Sequence, residues 1–177
     1  MDQSSLKPMI LKYGLTGGLI MSLIFLVGTI TGLATSGSKS YGIISGLVSF
    51  IIVVVLIVLA IKGHRDDLQD GYISLGQCVL IGTAVLILTG LISYLVSLVY
   101  MKVIDPEYMN RMMASMEEAW EAQGLSEEQI ESAKKWTGVM KSPGLSLAVI
   151  LCCYGLGGAI LSLIAGLIMK KDKPEFS

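Results

Sequence analysis

The chain has 177 residues, of which 53% are hydrophobic and 15% charged, with a mean hydropathy of +0.72; soluble domains carry about a quarter charged residues, so composition excludes an ordinary water-soluble fold. Its 13 basic and 14 acidic residues give a net charge of -1 and no clustered basic face, so nucleic acid is not an expected partner. The three cysteines, Cys78, Cys152 and Cys153, lie in apolar stretches without metal-type spacing, which excludes a disulfide framework or zinc site and leaves them as packing residues.

The charges fall in short zones separated by four long uncharged stretches, the pattern a bilayer imposes. The expected fold is all-α: a polytopic membrane protein forming a single membrane domain. Its four transmembrane helices run at about 13–35, 41–61, 72–101 and 145–169, with an extramembrane amphipathic helical hairpin, 105–141, between the third and fourth.

The first stretch, 13–35, is uncharged and long enough to cover the roughly 30 Å hydrocarbon layer at about 1.5 Å per residue. Lys7 and Lys12 before it resemble the basic region of a secretory signal, but the apolar run exceeds the roughly 7 to 15 residues of a signal core. A retained span is expected. Gly14, Gly18, Met21, Phe25, Gly28 and Gly32 follow a three-and-four spacing, and Gly14/Gly18 and Gly28/Gly32 are small-xxx-small steps, so this stripe faces protein.

The short, turn-rich link 36–40 makes the first two helices antiparallel neighbours. In the second, Gly42, Ser45, Gly46 and Ser49 occupy the first half and aliphatic residues the rest. That distribution predicts tight packing at the Ser40 end and lipid contact at the other. The polar link 62–71 reads as a solvated loop. His64 with Asp66, Asp67 and Asp70 carries metal-ligating atoms, but without a recognised spacing or a fixed scaffold.

In the third stretch Gly76, Thr83, Gly90 and Ser97 recur with a period of seven, as a helix seam of left-handed crossing requires. Gln77, near its start, either meets interfacial water or bonds across helices. The fourth opens on Ser142-Pro143-Gly144, where serine caps and proline suits the first turn. It carries a further small-residue stripe of Gly155, Ala159, Ser162 and Gly166, and Lys170, Lys171 and Lys173 stop it at the headgroups.

Within the hairpin, Asp105-Pro106-Glu107 predicts a helix start with aspartate as cap. Met109, Met112, Met113, Met116 and Trp120 share one arc, opposite Glu107, Arg111, Glu118 and Glu121. Gly124 supplies a left-handed stop and Ser126-Glu127-Glu128-Gln129 a capping box. The second helix gathers Ile130, Ala133, Trp136, Thr137 and Met140 on one side, and Glu107/Arg111 and Glu131/Lys135 have favourable four-residue spacing. Met109, Met112, Met113, Met116, Trp120, Ile130, Trp136 and Met140 form the candidate partner-docking face, a plain structural lid being the competing reading. Thioethers also suit copper(I), but no histidine or cysteine accompanies them, so no metal or other cofactor is expected.

Lys7, Lys12, Lys62, Arg65, Lys170, Lys171 and Lys173 fall on the face of the termini; Lys39, Lys102, Arg111, Lys134, Lys135 and Lys141 fall on the other, over a longer polar stretch. Basic density therefore places both termini inside and the hairpin, 102–144, outside. The four spans as delimited contain no Asp, Glu, Lys, Arg or His. They offer no acid–base pair, nucleophile or metal ligand, and a non-catalytic membrane protein is expected, its hairpin docking a membrane or envelope partner. The alternative is a small transporter or channel subunit acting as an oligomer.

Gly71-Tyr72-Ile73-Ser74-Leu75-Gly76-Gln77, Ile104-Asp105-Pro106-Glu107, Gly124-Leu125-Ser126-Glu127-Glu128-Gln129-Ile130-Glu131 and Ser142-Pro143-Gly144, in this order, resemble the family called domain of unknown function 4199. The resemblance covers nearly the whole chain. It implies a small bacterial integral membrane protein, here of the inner membrane with a periplasmic hairpin, and no catalytic residues to carry over.

Overall fold

The computed structural model describes residues 6–139 and 142–171. Its helices are α1 (Lys7–Ile30), α2 (Lys39–Leu68), α3 (Leu75–Val99), α4 (Tyr108–Ala122), α5 (Glu127–Val139) and α6 (Pro143–Met169). α1, α2, α3 with the turn that follows it, and α6 are long and apolar enough to cross a membrane. α4 and α5 form the helical pair between the third and fourth spans.

The spans are shifted from their sequence-based bounds for local reasons. α1 starts at Lys7 because Pro8 suits a first helical turn. It ends at Ile30, and Gly32 turns the chain with a φ of 72°. Gly32 therefore leaves the packing stripe on which it was expected, and nothing lies within 4 Å of the position its Cβ would take. α2 is capped by Ser38, whose Oγ accepts the Tyr41 N–H at 3.4 Å. It continues through the expected polar loop to Leu68, because that segment contains no proline and the left-handed residues Asp70 and Gly71 come only after it.

That extension corrects the reading of His64. Together with Ile57, Ala60 and Ile61 it completes a three-and-four stripe on α2, and it is fully buried rather than solvated. Its neighbour Arg65 turns the other way, pairing with Asp66 at 2.7 Å and reaching the Met169 carbonyl at 3.5 Å. Among the described residues no group of three His, Cys, Asp or Glu side chains is placed to hold a metal ion.

α3 is the axis of the bundle, packed along both α1 and α6. Small residues permit this approach. A Cβ on Gly14 would lie 2.6 Å from Leu88, one on Gly18 2.6 Å from Ile92, and one on Gly17 2.5 Å from the Thr89 hydroxyl. On the other flank Gly90 receives the Tyr154 ring at 2.7 Å, Gly166 faces Cys78 at 2.8 Å and Gly158 faces the Thr83 backbone at 3.0 Å. Gly82 sits directly against Ser162, whose hydroxyl donates to the Gly158 carbonyl. Gly155 makes ordinary contact with Ile87 and Ala159 is half-buried. Within the period-seven series, Thr83 and Gly90 thus lie in the α3–α6 contact, whereas Gly76 faces open space.

α2 packs with the polarity opposite to the one expected. Its buried residues are Leu56, Ile57, Ala60 and Ile61 of the aliphatic half and His64 just beyond it, where large side chains fill the space beside α1 and α3. The small-residue half stands off, and no atom lies within 4 Å of a Cβ built on Gly42 or Gly46. Small side chains permit a close approach without compelling one. Near the start of α2 the Tyr41 hydroxyl fits against Gly28 of α1.

The end carrying the termini is tied together by backbone. Ile73 and Lys171 exchange hydrogen bonds of 2.9 and 3.0 Å, joining the start of α3 to the end of α6. The Lys171 ammonium lies 5.4 Å from the Tyr72 ring centroid. Gln77 does not cross to another helix: its side chain accepts from the Ser74 N–H at 2.9 Å while the Ser74 hydroxyl accepts from the Gln77 N–H, both at the exposed start of α3. This is a capping box. Around the bundle, Leu11, Leu15, Leu19, Leu23 and Val27 form an exposed stripe on α1, as Ile160, Ile164 and Leu167 do on α6. In water such faces drive association; against hydrocarbon they need no partner.

Candidate functional site

At the opposite end the chain leaves α3 through a π-helical turn, Tyr100–Ile104, closed by the Asp105 N–H donating to the Tyr100 carbonyl at 2.9 Å. The wider turn swings Tyr100 inward. There it meets Phe25 of α1 and Tyr108 of α4 in a three-ring cluster, each pair edge-to-face, with centroids 5.6, 5.8 and 5.9 Å apart. Tyr100 and Tyr108 are buried. Burial, followed by the nearby Tyr41, Tyr100 and Asp105, pushes the Tyr108 phenol above its ordinary value.

Asp105 was expected to cap α4, but the helix begins at Tyr108, whose N–H donates to the Asp105 carbonyl at 3.1 Å. The carboxylate is drawn elsewhere, to a hydrogen-bonded ion pair with Arg111, and the Tyr100 hydroxyl lies 3.5 Å from it. Arg111 therefore does not pair with Glu107, which accepts from Asn110 at 2.8 Å instead. The Arg111 hydrogen bond holds Asp105 below the usual carboxylate range. A carboxylate with a lowered folded pKa stabilises the fold above its unfolded value of about 4, and that contribution is lost as pH falls through the folded value. Acidification below about pH 4 is accordingly expected to loosen the base of α4, read as faster amide exchange there, and Asp105→Asn removes that acid step.

α4 stops at Gly124, with a φ of 76°, and the Leu125 N–H returns to the Trp120 carbonyl at 3.2 Å. Ser126 and Gln129 form the expected capping box, with the Ser126 N–H donating to the Gln129 side chain at 3.0 Å. Glu131 and Lys135 pair at 3.0 Å along α5, and Lys134 pairs with Glu117 to bind α5 to α4.

The candidate docking residues divide between two surfaces. Met109 and Met112 turn toward the bundle and line cavities beneath α4. Met113, Met116 and Trp120 are half-buried and Ile130 is buried. Trp136 stands 78% exposed on α5. Met140 lies outside the described residues.

Two adjoining cavities, of about 490 and 450 Å³, open under α4. The larger is bounded by α1, the small-residue face of α2, α3, α6 and α4, and Gly42, Ser45, Gly46 and Ser49 all lie on its wall. The residues expected to bring α2 close thus line a void. Ser97, the last of the period-seven series, lines both cavities. The aromatic cluster and the cavities escape a sequence reading because Phe25, Tyr100 and Tyr108 come from three elements; the one local signal is a tyrosine at each side of the α3-to-α4 turn.

Neither curated proteins nor solved structures yield a match. The sequence does match the family described as "Protein of unknown function (DUF4199)" over residues 12–171, which takes in most of α1, the other three spans and both helices between the third and fourth. On that match the chain belongs to the DUF4199 family.

Proposed function

We infer that this is a non-catalytic, multi-pass protein of the bacterial inner membrane, with both termini cytoplasmic and a periplasmic α4–α5 hairpin that docks a membrane or envelope protein. The observation that carries the reading is Trp136: an indole 78% exposed on α5, on a helix whose buried apolar residue, Ile130, already serves the hairpin. Exposed tryptophan is the side chain most enriched in docking hot spots. Glu127, Glu128 and Glu131 are exposed on the same helix and suit a partner with a basic rim.

The non-catalytic reading draws on placement. His64, the single histidine, lies about 22 Å along α2 from Ser49, the nearest cavity-lining residue of that helix, at 1.5 Å per residue. Transport by an oligomer remains the alternative because of the cavities. Against it, the α2 half beyond Ser49 is filled by Leu56, Ile57, Ala60 and Ile61, packed with Ile81 and Val85 of α3.

Affinity purification from detergent tests the docking surface. The intact chain is expected to retain a specific partner that Trp136→Ala and a deletion of 106–141 both lose; the same partners with all three chains would discard the idea. Ser126, exposed between α4 and α5, reports orientation. With the native cysteines replaced, Ser126→Cys is expected to react with an impermeant thiol reagent in spheroplasts, whereas labelling only after lysis places the hairpin inside.

A further inference from the structure

We propose that the two cavities beneath α4 hold one glycerophospholipid of the hairpin-side leaflet, its chains on either side of the α3 ridge Tyr94, Ser97 and Met101 and its phosphate at Lys102. Both cavities have that ridge as a wall, and each lies in the range of roughly 300 to 1,000 Å³ typical of a small-ligand site. Two slots sharing one wall match a two-chain molecule.

Length and depth agree with this. The larger slot follows α3 from Gly90 to Met101 and α2 from Tyr41 to Ser49. At 1.5 Å per residue those runs are about 12 to 16 Å, and half of a 30 Å hydrocarbon layer is about 15 Å. The slot therefore spans one leaflet, from the hairpin to near the midplane.

The walls suit a hydrocarbon chain despite their hydroxyls. Ser45 donates to the Gly42 carbonyl at 3.2 Å, Ser93 to the Thr89 carbonyl at 2.9 Å and Ser97 to the Tyr94 carbonyl at 2.8 Å. Their hydrogens are directed into their own helices, so an apolar occupant leaves no serine donor unmet at these positions. Met21, Ile24, Phe25 and Ile150 supply the apolar remainder, and among the described residues no charged side chain lines this slot.

Among the described residues, charge enters at one place. Lys102 lines the second cavity beside Asn110, just beyond the end of α3, where a long cationic side chain reaches headgroup level. The Asn110 amide already donates to Glu107 at 2.8 Å, so Lys102 is the group that complements a phosphate diester. Access runs from the bilayer: α4 covers the outer mouth with Tyr108 and Met112, while the stand-off of α2 at Gly42 and Gly46 leaves a seam wide enough for side chains that are absent there. A lipid can enter sideways without the hairpin moving. The proposal is independent of whether α5 docks a protein.

Native mass spectrometry of the full chain, released from mild detergent after reconstitution in vesicles of equal phosphatidylglycerol and phosphatidylethanolamine, tests the site. The wild type is expected to carry one two-chain phospholipid per chain. Gly46→Leu with Ser49→Leu fills the larger slot, and because Gly46 faces open space the thermal midpoint is expected to hold while lipid occupancy falls at least about tenfold, the change that follows from losing about 1.4 kcal/mol. Gly76→Leu, also in open space but outside the cavities, keeps the lipid. Lys102→Gln is expected to retain fold and stoichiometry while lowering the ratio of bound phosphatidylglycerol to phosphatidylethanolamine several-fold. Lipid-free wild-type protein, equal occupancy in the filled variant, an unchanged ratio in Lys102→Gln, or single-chain or isoprenoid masses in place of phospholipid would each overturn the proposal.

Discussion

Gly90→Ala is expected to lower the stability of the detergent-solubilised chain by about 1 to 3 kcal/mol, while Gly76→Ala, two heptads earlier in the first turn of α3, raises it by less than about 0.5 kcal/mol. The two glycines have the same sequence signature and opposite surroundings. A methyl group on Gly90 would stand 2.7 Å from the Tyr154 ring, so α3 and α6 must separate or the ring must leave its rotamer. On Gly76 the same methyl meets nothing within 4 Å, and what remains is the better helix propensity of alanine. Thermal unfolding of the two variants in one detergent reads the difference. Parallel shifts would mean that α3 and α6 do not pack through Gly90.

Tyr108→Ala is expected to release the hairpin. Truncating a buried aromatic costs about 3 to 5 kcal/mol, and here it also removes two of the three edge-to-face contacts in the cluster. Few other attachments compensate, since α4 otherwise meets the bundle near the α1–α2 turn, where Ser115 lies beside Gly37. Amide exchange should rise across α4 and α5 and stay unchanged in α1, α3 and α6. Tyr108→Phe keeps the ring and is expected to shift exchange by less than about 1 kcal/mol. If α4 remains protected in Tyr108→Ala, the ring cluster is not what holds the hairpin down.

How much of this was legible in the sequence depends on the range of the cause. Caps and breaks are local, and Gly124, Ser126 and Gln129 behave as their spacing indicates. Small-residue stripes proved ambiguous. Gly14 and Gly18 mark a helix contact, whereas Gly42 and Gly46 mark the wall of a cavity. Nothing within the small-residue half of α2 distinguishes these outcomes, because the decision rests farther along the helix with Leu56, Ile57 and Ile61, which seat the other half and fix where it diverges. His64 misleads for a related reason. Its neighbours Lys62, Arg65, Asp66 and Asp67 make the segment read as loop, but helical periodicity carries the histidine onto the buried face and leaves the charges outside it. Asp105 has a local role available as a cap, and a tertiary partner, Arg111, takes it instead.

The Ile73–Lys171 bridge has a topological consequence. It brings Ile73, just before the third span, and Lys171, just past the fourth, to one point, so the chain between them is a closed loop of two helices with α4 and α5 carried at its far end. In such an arrangement the hairpin is an insertion into a frame whose ends are already joined. Provided the Tyr108 ring keeps its place against Phe25 and Tyr100, a longer or shorter segment between it and Pro143 can be exchanged without re-threading the spans.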